Sequence, residues 1–159
     1  MSWLKAFECP YGVAQVREAD RSVKVAVTVW WLVCPRLKRA ASRIEAASFI
    51  AEIEKEITAD NKWFEVEYED FLYARARHIL FRRILPYSNN WLRGGVGGRL
   101  GGVKCLHAEI AFFLATGFSF VLEYAQERLR LLDRIKEEFD RLESVCRKCL
   151  ELPSRKVGK

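Results

Sequence analysis

From position 36 onward, apolar residues recur at three- and four-residue spacing through most of the chain, a period that suits helices and does not suit strands. The clearest run is Phe118, Val121, Ala125, Arg128, Leu132, Ile135, Phe139, Leu142, Cys146 and Cys149, in which nine of ten positions are apolar. Leu122, Tyr124, Leu129 and Leu131 widen this stripe to the breadth that burial inside a bundle requires. Beyond Asp133 the flanks turn charged, with Glu137–Arg141 and Glu143–Arg147 at i,i+4 spacing. The pattern predicts a helix over most of Val103 to Leu152, kinked at Gly117. Its far end is expected to project against a partner through Leu132, Ile135, Phe139, Leu142, Cys146 and Cys149.

Three further helices are predicted. Arg36 to Thr58 starts after Pro35 and aligns Leu37, Ala41, Ile44, Ser48 and Ala51 in one row, with Ala47, Ile50, Ile53 and Ile57 extending the buried side. Its first turns hold Arg36, Lys38, Arg39 and Arg43 and its end holds Glu52, Glu54 and Glu56, an order that opposes the helix dipole. Those cations therefore suggest a role other than helix stability. Glu69 to Leu85 forms the next helix, stopped by Pro86, with a loop from 87 to 102 behind it. The stretch 23–34 alternates as a strand would, but its only candidate partner is the short 62–68 segment, so a helix is expected there too. The resulting fold class is all-α, a mainly helical bundle with a long C-terminal helix and minor β structure at 23–34 and 62–68 as the alternative. One domain is expected over 1–152, followed by a short basic tail at 153–159.

The chain has 159 residues, half of them hydrophobic and 30% charged, which suits one folded domain with its own core. Asn and Gln together number five and Met one, a composition expected of a thermophile. Five cysteines with no leader-like N-terminal run point to an intracellular protein or a virion component. The most apolar stretch, Ile110 to Leu122, is 13 residues long, shorter than the roughly 20 a membrane span needs, and reads as a core helix.

Charge is distributed unevenly. Residues 71–108 hold seven Lys/Arg and no acid, and the remainder holds 20 basic and 21 acidic residues, so the excess of +6 sits in this tract. An acid-free basic tract is what a phosphate-binding surface needs. Arg75, His78 and Arg82 share one side of the predicted helix, with Arg83 beside them and Tyr73, Leu80, Phe81 and Ile84 opposite. The following segment has six glycines among residues 94–102, whose missing Cβ atoms would leave backbone N–H groups free for oxyanions. Arg93, Arg99 and Lys104 add charge, and Trp91 could stack on a base. Together with Arg36, Lys38, Arg39 and Arg43, these residues make the candidate nucleic-acid interface.

Enzyme templates fit poorly. From Gly97 to Gly102 the spacing suits a phosphate loop, but Val103 stands where Lys is required; the dinucleotide fingerprint begins at Gly95 and Gly97 and meets Leu100. Cys105, His107, Cys146 and Cys149 could supply a Cys₃His zinc site, but Cys146 and Cys149 occupy seam positions where thiols act as small fillers. A helix through Cys105 would also aim its side chain away from His107. No metal or cofactor is expected. A nuclease built on Arg75, Arg77 and His78 lacks an acid to orient the histidine. The sequence points to a non-enzymatic protein that coats or packages DNA or RNA through phosphate contacts. The alternative is a helical assembly subunit whose basic tract meets an acidic partner.

Overall fold

A computed structural model describes residues 16–18, 28–81 and 94–141. Among them the chain is all-α in its main body: six α-helices and a short antiparallel ladder. Strand β1 (Val16–Glu18) pairs with β2 (Trp30–Leu32), with Val16 opposite Leu32 and Glu18 opposite Trp30. The helix expected over 23–34 is thus corrected at Trp30–Leu32, which finds its partner upstream. From Trp63 on, the 62–68 segment is helical, forming the first turns of a helix that runs to Phe81.

Pro35 opens α1 (Pro35–Ala46), where its fixed φ and missing N–H cost nothing. The single helix expected over 36–58 is broken in two. Ser48 adopts a left-handed conformation, φ 65°, between α1 and α2 (Phe49–Ala59). This turn swings Phe49, Ile53 and Ile57 onto the same core as Leu37, Ala41 and Ile44. Asn61, a residue type that tolerates positive φ, makes the turn into α3 (Trp63–Phe81).

The long C-terminal helix is likewise corrected to three shorter ones. Helix α4 (Leu106–Thr116) ends at Gly117, whose φ of 75° gives the left-handed C-cap that glycine favours. The Ser119 hydroxyl accepts from Leu122 N–H at 3.1 Å to start α5 (Phe120–Leu129), and the two axes bend by 113°. Arg130, at φ 53°, then separates α5 from α6 (Leu131–Arg141). No single helix among the described residues is long and apolar enough to cross a membrane.

Helix α4 is the central element. It packs on β2, α1 and α5 and brings Ile110, Ala111 and Phe113 into full burial. Helix α6 folds back on α1, so Ile135 is enclosed in the core and Leu132 packs at its edge. The projecting seam expected from the heptads is therefore corrected for these two residues, whose apolar surface is used within the chain. The Phe139 side chain and Leu142, Cys146 and Cys149 lie outside the described residues. A second cluster forms where Trp30, Tyr73 and Phe112 pack ring on ring around Val29 and Val96.

Candidate functional site

The glycine segment is held against the protein's own carboxylates. Val96 N–H donates to Asp70 Oδ1 at 3.3 Å, and Val103 N–H donates to Glu54 Oε1 at 2.8 Å. Leu106 N–H donates to Glu45 Oε1 at 2.6 Å. Each acid comes from a different helix: α1 for Glu45, α2 for Glu54 and α3 for Asp70. Glycine is required where they approach, since a Cβ on Gly95 would fall 1.7 Å from Asp70 Oδ1, while Gly97 holds φ 67° inside the 3₁₀ turn Val96–Gly98. The backbone amides do face oxyanions, as the sequence suggests, but these oxyanions are intramolecular.

Arg99 follows the same logic. Its side chain is 1% exposed and bonds Glu69 Oε2 at 2.6 Å, Asp70 Oδ1 at 2.6 Å and the carboxylate of Glu109. Its assignment to a phosphate-binding surface is corrected: every nitrogen of the guanidinium is taken by a carboxylate. Arg77, another cation of the acid-free tract, is also buried, over the Tyr73 ring and within 3.3 Å of the Gly95 carbonyl. Burial lowers Arg77, while nearby Tyr73 and Asp70 raise it. For Arg99, burial is outweighed by Glu109, Glu69 and Asp70, which raise it.

The acids of this cluster titrate abnormally. Burial raises Glu69 and Asp70 despite Arg99, and raises Glu109 well above the usual carboxylate range, with the Glu69 charge adding to the effect. Glu109 Oε2 accepts from the Ser119 hydroxyl at 2.9 Å, and Glu69 Oε1 is buried without a hydrogen-bond partner. Three carboxylates thus oppose two guanidiniums, and one proton kept by the Glu69–Glu109 pair makes the group neutral. A shallow cleft of about 420 Å³ reaches Asp70 and Arg99 from outside, between Phe71, Leu100 and Gly101. Among the described residues that line it, the one cation is Arg99, already engaged by carboxylates.

The remaining cations divide into two groups. Arg75 and His78 lie exposed on α3, as predicted, while Arg82, Arg83, Trp91 and Arg93 lie outside the described residues. Lys38, Arg39 and Lys104 are exposed, Arg36 is half-buried, and Arg43 lies 3.6 Å from Glu138 of α6. Lys104 lies three residues before His107, whose Nε2 sits 2.9 Å from the Lys38 carbonyl of α1.

Cys105 and His107 do converge, contrary to the helical reading of that pair. Cys105 is the extended N-cap of α4, φ −155° and ψ 124°, so its side chain is not splayed by a helical turn. Its Sγ lies 3.6 Å from His107 Nδ1, and Glu45 Oε1 lies 3.0 Å from the same nitrogen. The Cys105 hydrogen bond first, then Glu45, raise His107 to about 9 against the effect of burial. Glu45 could not be singled out from sequence, because it comes from the end of another helix.

The outer face of α3 was also missed. Phe64, Tyr68, Phe71 and Ile79 are 75%, 54%, 58% and 54% exposed, at spacings that place them along one side with Arg75. Val66, Tyr73 and Ala74 occupy the buried side. The signal was present as apolar residues on both faces of one helix, the pattern of a helix that is covered all round.

The chain belongs to the family described as Protein of unknown function (DUF501), whose model matches residues 5–127. No curated protein and no solved structure matches it.

Proposed function

We propose that this member of the DUF501 family is a non-enzymatic assembly subunit that pairs with a second copy of itself through the outer face of α3. The observation that carries this reading is the row Phe64, Tyr68, Phe71 and Ile79, large side chains left in solvent on one side of a 19-residue helix. Leu100, 84% exposed beside Phe71 at the cleft, extends the patch. Contiguous apolar patches of this kind mark protein contacts, and aromatic residues with Arg are the residue types that dominate them.

The choice of a second copy comes from charge order. The first half of α3 carries Glu65 and Glu67 on its flanks, and the second half carries Arg75 and His78. Antiparallel pairing about a two-fold axis near Phe71 sets the acidic half of each copy beside the basic half of the other. Tyr68 then faces Arg75 of the second copy, and Phe64 faces its Ile79. Light scattering tests it. A dimer that Phe71→Asp converts to a monomer with an unchanged circular dichroism spectrum supports the reading, and a wild-type protein that stays monomeric across concentrations removes it.

A second reading, phosphate-backbone binding, is favoured by one observation: Lys38, Arg39 and Lys104 are all exposed, and His107, three residues beyond Lys104, contacts the Lys38 carbonyl. Self-association and phosphate contact are compatible, since a coating protein needs both. Retention of a nucleic-acid duplex by the wild type at low salt, lost on combining Lys38→Glu with Lys104→Glu, tests it.

A further inference from the structure

We propose that Glu45, Cys105 and His107 form a binding site for one zinc ion, with solvent in the fourth position. The three ligand atoms lie within 4.8 Å of one another, from the last turn of α1 and the N-terminus of α4. Zinc bonds sulfur at about 2.3 Å and imidazole nitrogen at about 2.05 Å, so a tetrahedral ion holds that pair roughly 3.5 Å apart. Cys105 Sγ and His107 Nδ1 are 3.6 Å apart. The nitrogen–oxygen edge, 3.0 Å here, must open to roughly 3.3 Å, a small side-chain movement.

The surroundings match those of a metal-bound histidine. His107 Nε2 lies 2.9 Å from the Lys38 carbonyl, an acceptor that keeps the hydrogen on Nε2 and turns the Nδ1 lone pair toward the ion. The Leu106 N–H bond at 2.6 Å fixes the Glu45 carboxylate. The side chains of His107 and Glu45 are 25% and 27% exposed, so an ion and a water can reach them. One thiolate, one imidazole and one carboxylate suit zinc rather than magnesium or calcium. Ligation takes the thiolate and the Nδ1 lone pair, and the protons displaced from both groups pass to solvent.

The same geometry argues against a nucleophilic triad. In such a triad the thiol and the carboxylate contact opposite nitrogens of the imidazole, so that the acid orients the ring while the ring accepts the thiol proton. Here both converge on Nδ1, while Nε2 meets the Lys38 carbonyl and, at 3.1 Å, the Ser42 hydroxyl, which donates its own proton to that carbonyl at 2.9 Å and so is not poised to give it to the ring. Convergence on one nitrogen is coordination geometry.

Metal-stripped full-length protein titrated with cobalt(II) should develop a thiolate-to-cobalt absorption band that saturates at about one ion per chain and is bleached by zinc. Cys105→Ser should abolish the band and weaken zinc binding by more than about 100-fold, whereas Cys146→Ser with Cys149→Ser should leave both intact. X-ray absorption of the zinc-loaded wild type, which depends on no variant folding, should find one sulfur and at least one imidazole. Absence of the band in folded wild type, its persistence in Cys105→Ser, its loss in the Cys146/Cys149 variant, or two or more sulfurs on zinc would each overturn the site. None of these readouts depends on oligomeric state, so the site and the α3 dimer stand or fall separately.

Discussion

Arg99 Nη2 lies 2.6 Å from Glu69 Oε2 in the interior, joining the glycine segment to α3. Glu109 of α4 holds the same guanidinium from another side, so three segments meet at one cation. An arginine in this position is a structural bolt. Arg99→Met would leave buried carboxylates without their counter-charge and should destabilise the fold by about 3–5 kcal/mol. Urea denaturation measures the loss. Under mild conditions that keep the variant folded, duplex affinity should match the wild type; a specific loss of affinity would return Arg99 to the binding surface.

The Glu69–Glu109 pair makes stability depend on pH. Both carboxyls are raised in the folded protein above their ordinary value of 4.5, so the folded state binds more protons than the unfolded chain. The contribution is therefore greatest below that ordinary value and is lost as pH rises through the folded values, with a slope of at most about 1.4 kcal/mol per pH unit for one proton. Glu109→Gln should flatten this dependence and be relatively most favourable at alkaline pH. Denaturant midpoints for both proteins across pH test it; parallel curves would show that Glu109 is ionised throughout.

The charge relationship explains why the acid-free tract was read as a surface. The acids that neutralise it stand at its borders, since Asp70 immediately precedes residue 71 and Glu109 immediately follows residue 108. Counting charge along the chain ends the tract at the residues that fold onto its middle. The helical class, the opening of α1 at Pro35 and the burial of Ile110 to Phe113 were legible, because they follow from local period and composition. The breaks at Ser48 and Arg130 were not: neither is glycine, and only tertiary packing selects a left-handed backbone there. The Cys105–His107 pair was misjudged for a related reason. Starting the helix at Val103 instead of Leu106 aims the thiol to the wrong side.

Tyr68 and Arg75 provide a sharper test of the dimer than removal of one apolar side chain. Tyr68→Ala and Arg75→Ala should each weaken dimerisation by about 1–2 kcal/mol, since the two-fold axis repeats a surface cation–π contact of about 0.5–1 kcal/mol. The double variant should lose less than the sum, because the two residues are partners in the same contact, formed once on each side of the two-fold axis. Sedimentation equilibrium gives the constants. Full additivity would place the residues apart and exclude the antiparallel register about Phe71.

For the phosphate reading, the salt slope counts the participating cations. Lys38, Arg39 and Lys104 contacting duplex phosphates give a slope of log K against log salt near −3, at about −0.9 per contact. Lys104→Gln should reduce the magnitude by roughly one contact. A slope several units steeper would require cations beyond this exposed group, while a flat response would eliminate phosphate binding.

Ser48 decides between one helix and two. In the broken arrangement its φ of 65° carries the left-handed penalty of an L-residue, about 1 kcal/mol, from which glycine is free. Ser48→Gly should then stabilise the protein by roughly 0.5–1 kcal/mol, since the Ser48 side chain is exposed and makes no capping bond. In a continuous helix the same substitution would destabilise by up to about 1 kcal/mol, the cost of glycine in a helix interior. The sign of the shift in urea midpoint, at unchanged m-value, separates the two. A negative shift would restore the uninterrupted 36–58 helix and take Phe49, Ile53 and Ile57 off the face they share with Leu37, Ala41 and Ile44.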